Sequence, residues 1–151
     1  MEAKWMLLPM FAQVVLTLAM MQIARTRRLR AVQAGEVNGT FFKTNEGPKP
    51  PRYVLQSDQM VLNFFETPML FFVVGVAAMT LNVVSPALIS LGWGYVALRI
   101  WHAQIKLTHN KLGPRALIFA ISVLVILIMW IVLLLGAFNS ELTTATLSAI
   151  H

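Results

Sequence analysis

The stretch VLNFFETPMLFF, Val61 to Phe72, places Asn63, Glu66 and Pro68 inside a run that is otherwise almost wholly apolar. An acid at the centre of a membrane helix costs about 2.5–3.5 kcal/mol on insertion scales. Glu66 therefore needs a partner if this stretch crosses a bilayer, and the rest of the chain says that it does. Hydrophobic residues make up 58% of the sequence and charged residues 12%, whereas soluble domains carry about 25% charged residues. The net charge is +6, but the basic residues stand beside apolar runs. That is the pattern of membrane topology and not of a nucleic-acid surface, so no nucleic-acid partner is expected. The chain has no cysteine, and any thiol chemistry must arrive with a ligand.

Outward from this stretch, residues 1–151 read as a single membrane domain. From Trp5 to Ala24 no residue is charged, about the length that spans a bilayer. The basic cluster RTRRLR follows this run instead of preceding it, so helix one, about 5–24, is uncleaved and not a signal peptide. Helix two is expected over 58–84, ended at NVVSPAL because the residue before a proline leaves the helical region readily. Helix three follows over 86–109, NKLGP turns the chain, and helix four runs over 115–138. The expected fold is an all-α integral membrane protein, a four-transmembrane-helix bundle with a long loop over 25–57 and a polar, frayed tail over 139–151. Arg25, Arg27, Arg28, Arg30, Lys43, Lys49 and Arg52 lie between helices one and two, and Lys106, Lys111 and Arg115 flank the turn between three and four. Only Lys4 is at the other side, which places both loops in the cytoplasm and both termini outside it.

The polar residues form a pattern within these helices. Asn63 and Glu66, three apart, share a face of helix two. RIWHAQIKLTH sets Arg99, His102, Lys106 and His109 at offsets of three, seven and ten, one stripe of helix three. Arg115 opens helix four, where backbone N–H groups also favour an anion. At 1.5 Å per residue Glu66 lies roughly 12 Å in from Asp58, with Arg99 at similar depth. Glu66 is accordingly expected to face the interior and pair with Arg99 or another of these bases. A pair of that kind can also serve only to tie helices two and three together. Trp5, Trp93, Trp101, Trp130 and Tyr95 are expected at the interface or against lipid. His102 and His109, two turns apart, make no zinc site.

Four short helices, the basic cluster ending helix one, NFFETP, and RIWHAQIKLTHNKLGPR together resemble the MAPEG superfamily, the membrane-associated proteins in eicosanoid and glutathione metabolism. LTHN and FETPMLFF look most like its bacterial members, which implies a bacterial inner membrane. The resemblance spans helices one to four and implies a homotrimer with glutathione bound between neighbouring protomers. Carried over, Asn63 and Glu66 contact glutathione, His102 touches it, and Arg115 stabilises its thiolate. Arg25 or Arg28 matches the helix-one arginine that reaches the tripeptide from a neighbour, and Arg99 lies in the same internal site. The implied activity is a glutathione-dependent transferase or peroxidase acting on hydrophobic small molecules or lipid peroxides taken from membrane lipid. The alternative is a non-catalytic member that binds lipid or a protein partner. The sequence departs from the catalytic pattern at Leu62 and Gln59, where an arginine is usual, and at Lys106 and Phe119, which replace tyrosines.

Overall fold

The computed structural model describes residues 3–148. A short 3-10 turn, Ala3–Met6, leads into α1, Leu7–Gln33. The short helix α2, Phe41–Thr44, precedes α3, Arg52–Thr80; α4 is Pro86–Leu107 and α5 is Leu112–Ser148. No strand occurs among the described residues. The segments Ala3–Gln33, Arg52–Thr80 and Leu112–Ser140 are long and apolar enough to cross a membrane. Helix α4, 22 residues long, is outside that set and carries Arg99, His102 and Lys106 in its second half.

The helix ends differ from the expected ones, each for a local reason. Helix α1 does not stop at Ala24 but carries RTRRLRAVQ to Gln33, because Arg, Leu, Ala and Gln all favour helix. The edge of an apolar run is not in itself a helix stop. Gly35, at φ 70°, ends α1: its N–H bonds to the Val32 carbonyl at 3.0 Å, and the Glu36 N–H to that of Ala31 at 2.9 Å. This is the paired cap that a left-handed residue permits. The loop expected over 25–57 shrinks further because α3 starts at Arg52, directly after Pro51. Asn82, at φ 55°, caps α3 in the same way, with Val83 N–H on the Ala78 carbonyl at 3.0 Å. Helix two therefore ends at Thr80 instead of Val84, before the proline acts. Pro86 instead opens α4 behind Ser85, whose Oγ accepts from the Leu88 N–H at 3.3 Å, a favoured start. The expected frayed tail is helical as far as Ser148, since ELTTATLS holds neither Gly nor Pro. Residues 149–151 of that tail lie outside the described residues.

Helix α4 lies along α5, and α1 along α3. One core joins all four long helices through Met10, Phe71, Val74, Leu88, Tyr95 and Met129. Tyr95, expected at the interface, is fully buried and stacks on Phe71 with ring centroids 4.7 Å apart. Trp5, Trp93 and Trp101 are exposed. A second cluster of Met20, Met60, Phe64 and Ala103 underlies the polar stripe of α4. A third, Ala31, Val37 and Val54, carries the Phe41–Phe42 pair of α2.

At Gly92 of α4, a Cβ would meet the ring carbons of Pro9 at 3.2 and 3.3 Å. Proline cannot rotate away, so Gly92→Val is expected to lower stability by about 1–3 kcal/mol, read as a drop in Tm in detergent. Gly94→Ala, where a Cβ meets nothing within 4 Å, serves as the control and leaves Tm unchanged or raises it.

Candidate functional site

Arg99, His102 and Lys106 occupy the buried side of α4 at 0%, 2% and 3% exposure. Spacings of three and four residues keep them on one face, and the packing of α4 against α3 and α5 closes that face. The Arg99 Nη2 donates to the backbone carbonyl of Asn63 at 3.0 Å. Its guanidinium carbon stands 4.6 Å from the Phe64 ring centroid and 5.9 Å from that of Phe119. Nε and Nη1 are buried without a hydrogen-bond partner. The charge is thus held by one carbonyl and two aromatic faces, not by a carboxylate. Pro68, without an N–H, leaves the Phe64 carbonyl lacking its usual donor, while the Asn63 carbonyl that Arg99 reaches also accepts from the Thr67 hydroxyl at 3.4 Å.

The expected Glu66–Arg99 pair does not form. Glu66 is exposed, because the inward face of α3 is set by Met60, Phe64, Pro68 and Phe71. At 3.6 residues per turn a residue two past Phe64 lies on the far side of the helix. Leu62, Phe65, Met69 and Val73 surround Glu66 on that outer face, all exposed. Its carboxylate makes no ion pair among the described residues, and its charge reaches Lys106 only weakly.

His102 packs beside Phe119 with ring centroids 5.7 Å apart, and both ring nitrogens are buried without a hydrogen-bond partner. Arg115, half-buried in the first turn of α5, donates from Nη1 to Asn110 Oδ1 at 2.6 Å. Asn110 holds the α4–α5 turn in a left-handed conformation, φ 48°, and donates its N–H to the Ile105 carbonyl at 2.8 Å. The charges of Arg99, Lys106 and Arg115 act on His102, and those of Arg99 and Arg115 on Lys106. Four basic side chains therefore gather between α3, α4 and α5 with one acid, Glu66, at their edge. Such a cluster suits an anion. His109 leaves the stripe because α4 ends at Leu107; it is exposed beside Arg52 and Tyr53.

Arg25 and Arg28 stand apart from this cluster. They line a groove of about 900 Å³ between α1, α2 and α3 that contains none of the α4 and α5 bases. The Arg28 Nε pairs with Asp58 Oδ1 at 2.8 Å, and its guanidinium lies 5.3 Å from the Phe42 ring centroid. Sequence reasoning did not find Asp58, Phe64 and Phe119 as partners, nor the burial of Lys106. Phe64 follows Asn63 directly and Phe119 lies one turn after Arg115, but an aromatic face compensates a charge only where packing brings the two together.

A family model described as the MAPEG family matches residues 6–135 of the chain. No curated protein and no solved structure matches it.

Because Arg99 is buried with two nitrogens unpaired, removing its charge while keeping its bulk should cost little. Arg99→Met is expected to melt at or above the wild-type temperature. Arg99→Ala, which leaves a cavity, is expected to lose about 2–5 kcal/mol. Thermal melts followed by circular dichroism in detergent test both.

Proposed function

Since the chain belongs to the MAPEG family, we propose that it is a glutathione-dependent membrane transferase or peroxidase acting on hydrophobic electrophiles or lipid peroxides. It is an integral membrane protein. In this reading α4 is its fourth span, the α1–α3 and α4–α5 connections face the cytoplasm, and the membrane is the bacterial inner one. The observation that carries the reading is the convergence of Arg99, His102, Lys106 and Arg115, with Asn63 against them and Glu66 at the rim. Glutathione bears two carboxylates, which suit the bases, and one ammonium, which suits Glu66. A thiol is ionised to a few per cent or less near neutral pH, and an adjacent guanidinium favours the thiolate, the nucleophilic form. Arg115, less buried than Arg99 and at a helix N-terminus, is the group assigned that role.

The outer face of α3 supports a homotrimer. Glu66 on a lipid-facing surface is costly, and a neighbouring protomer laid over Leu62, Phe65, Met69 and Glu66 removes that cost. Arg25 or Arg28, remote from the cluster within one protomer, would join it only from such a neighbour. The second reading, a non-catalytic member that binds lipid or a protein, is favoured by the closure of Arg99 and His102 inside the protomer. The departures at Gln59, Leu62, Lys106 and Phe119 favour it as well.

Thermal stabilisation by glutathione separates the two. A ligand that binds only the folded state raises Tm with concentration, by about 2.7 kcal/mol of stability at a hundredfold excess over Kd. Wild-type protein is expected to show a saturable rise that Arg115→Ala and Glu66→Gln lose, and Arg115→Ala is expected to abolish thiol-dependent turnover. No shift at millimolar glutathione, with variants that are merely less stable, would favour the non-catalytic reading.

A further inference from the structure

On α3 the residues Arg52, Gln56, Gln59, Asn63 and Glu66 follow one another at spacings of four, three, four and three. Those spacings keep all five on one stripe of the helix, beside its inward face of Met60, Phe64 and Phe71. The helical rise makes this polar stripe about 21 Å long. Helix α4 carries the second stripe, Arg99, His102 and Lys106, and His109 follows just past its end. The two helices run antiparallel and their polar residues meet at two levels. Deep in the bundle the Arg99 guanidinium reaches the Asn63 carbonyl at 3.0 Å. At the other end Arg52, Tyr53 and Gln56 face Thr108 and His109 across a pocket of about 390 Å³, a size within the range of small-molecule sites.

This pocket gathers donors that nothing in the protomer uses. Arg52 and His109 are exposed and Gln56 is half-buried. None of the three side chains makes an ion pair or hydrogen bond among the described residues. The other two hydroxyls are committed: Tyr53 donates to Glu36 at 2.7 Å, and Thr108 to the Gln104 carbonyl at 2.7 Å. No acid lines the pocket. A guanidinium, a ring N–H and an amide N–H converging on one small space suit a carboxylate. Distance adds a second constraint. From Gln56 to Asn63 is seven residues, about 10 Å along α3, and an extended tripeptide spans roughly 10–11 Å. A tripeptide with one end at the level of Asn63 and Glu66 therefore brings its other end to the pocket.

We propose that this pocket is the subsite for the glycyl carboxylate of glutathione, with Arg52 as its ion-pair partner and Gln56 and His109 as hydrogen-bond donors. The proposal rests on the glutathione reading and gives the tripeptide a direction within it. The ammonium of the γ-glutamyl end lies at Glu66. The peptide groups run along Gln59 and Asn63, whose amides offer both donors and acceptors, and the glycyl end faces the pocket. The same geometry discriminates among thiols. One that lacks a carboxylate at this distance, free cysteine for instance, does not span from Glu66 to Arg52.

Isothermal titration calorimetry of the full chain in detergent, with glutathione and with its glycyl monoethyl ester, tests the subsite. Wild type is expected to bind the acid about fivefold more tightly than the ester, the effect of one exposed ion pair. Arg52→Ala is expected to bind glutathione about fivefold more weakly than wild type does and to bind acid and ester alike. Arg52→Lys keeps most of the preference, and His109→Ala loses part of it. All three variants leave the Tm without ligand unchanged, because Arg52 and His109 are exposed. Lys43→Ala, at an exposed lysine of α2 outside the pocket, binds as wild type does. A preference for the acid that survives Arg52→Ala would overturn the subsite and leave the glutathione reading standing. An equal loss in Lys43→Ala would overturn it in favour of diffuse attraction. No heat of binding in wild type, together with no rise in Tm at millimolar glutathione, would overturn both.

Discussion

A guanidinium buried without a carboxylate organises this protein. Arg99 reaches α3 through the Asn63 carbonyl and the Phe64 ring and approaches α5 through Phe119, so one side chain of α4 links three helices. Burying an ion costs several kcal/mol even after relaxation, and a carbonyl with aromatic faces offsets only part of that. The rotation of α4 is set by its apolar face, Leu88, Tyr95, Val96 and Ala103, which carries Arg99 inward with it. With Arg99 turned inward, His102 and Lys106 one and two turns later are carried to the same side. The interior gains basic groups for which α3 provides no inward acid.

This imbalance is the physical basis for reading the site as a receiver of anions. An interior pair of Glu66 with Arg99 would have cancelled one of these charges. Because α3 directs its Met60, Phe64 and Phe71 face inward, Glu66 is instead left at the rim, exposed and without an ion pair to Arg99. Arg115 is held by Asn110 in the α4–α5 turn, so its position depends on a left-handed residue between the end of one helix and the start of the next.

The basic residues of the chain divide into two populations. Those of α4 and α5 are buried or half-buried and form no ion pair among the described residues. Those at the end of α1 lie at the surface and help to fasten the α1–α3 connection, with Arg27 on Tyr53, Tyr53 on Glu36 and Arg28 on Asp58. Exposed pairs of this kind contribute little each. They tie the end of α1 to the start of α3, while the Phe41–Phe42 pair of α2 packs on the apolar cluster of Ala31, Val37 and Val54.

The sequence by itself determined the membrane character, through the uncharged runs, and the stripe of Arg99, His102 and Lys106, because those spacings are intrinsic to any α-helix. It also carried the motifs by which the family is identified. Tertiary structure decided what periodicity leaves open. Helices α1 and α3 stop just short of Gly35 and Asn82, whose positive φ closes a cap that no hydrophobicity pattern announces. Tyr95 went inside because Phe71 is there to stack on it. The side of α3 turned inward was settled by packing: Asn63 and Glu66 are close on the helix, yet with Met60, Phe64 and Phe71 in the core, the Asn63 carbonyl meets Arg99 while the Glu66 side chain points away.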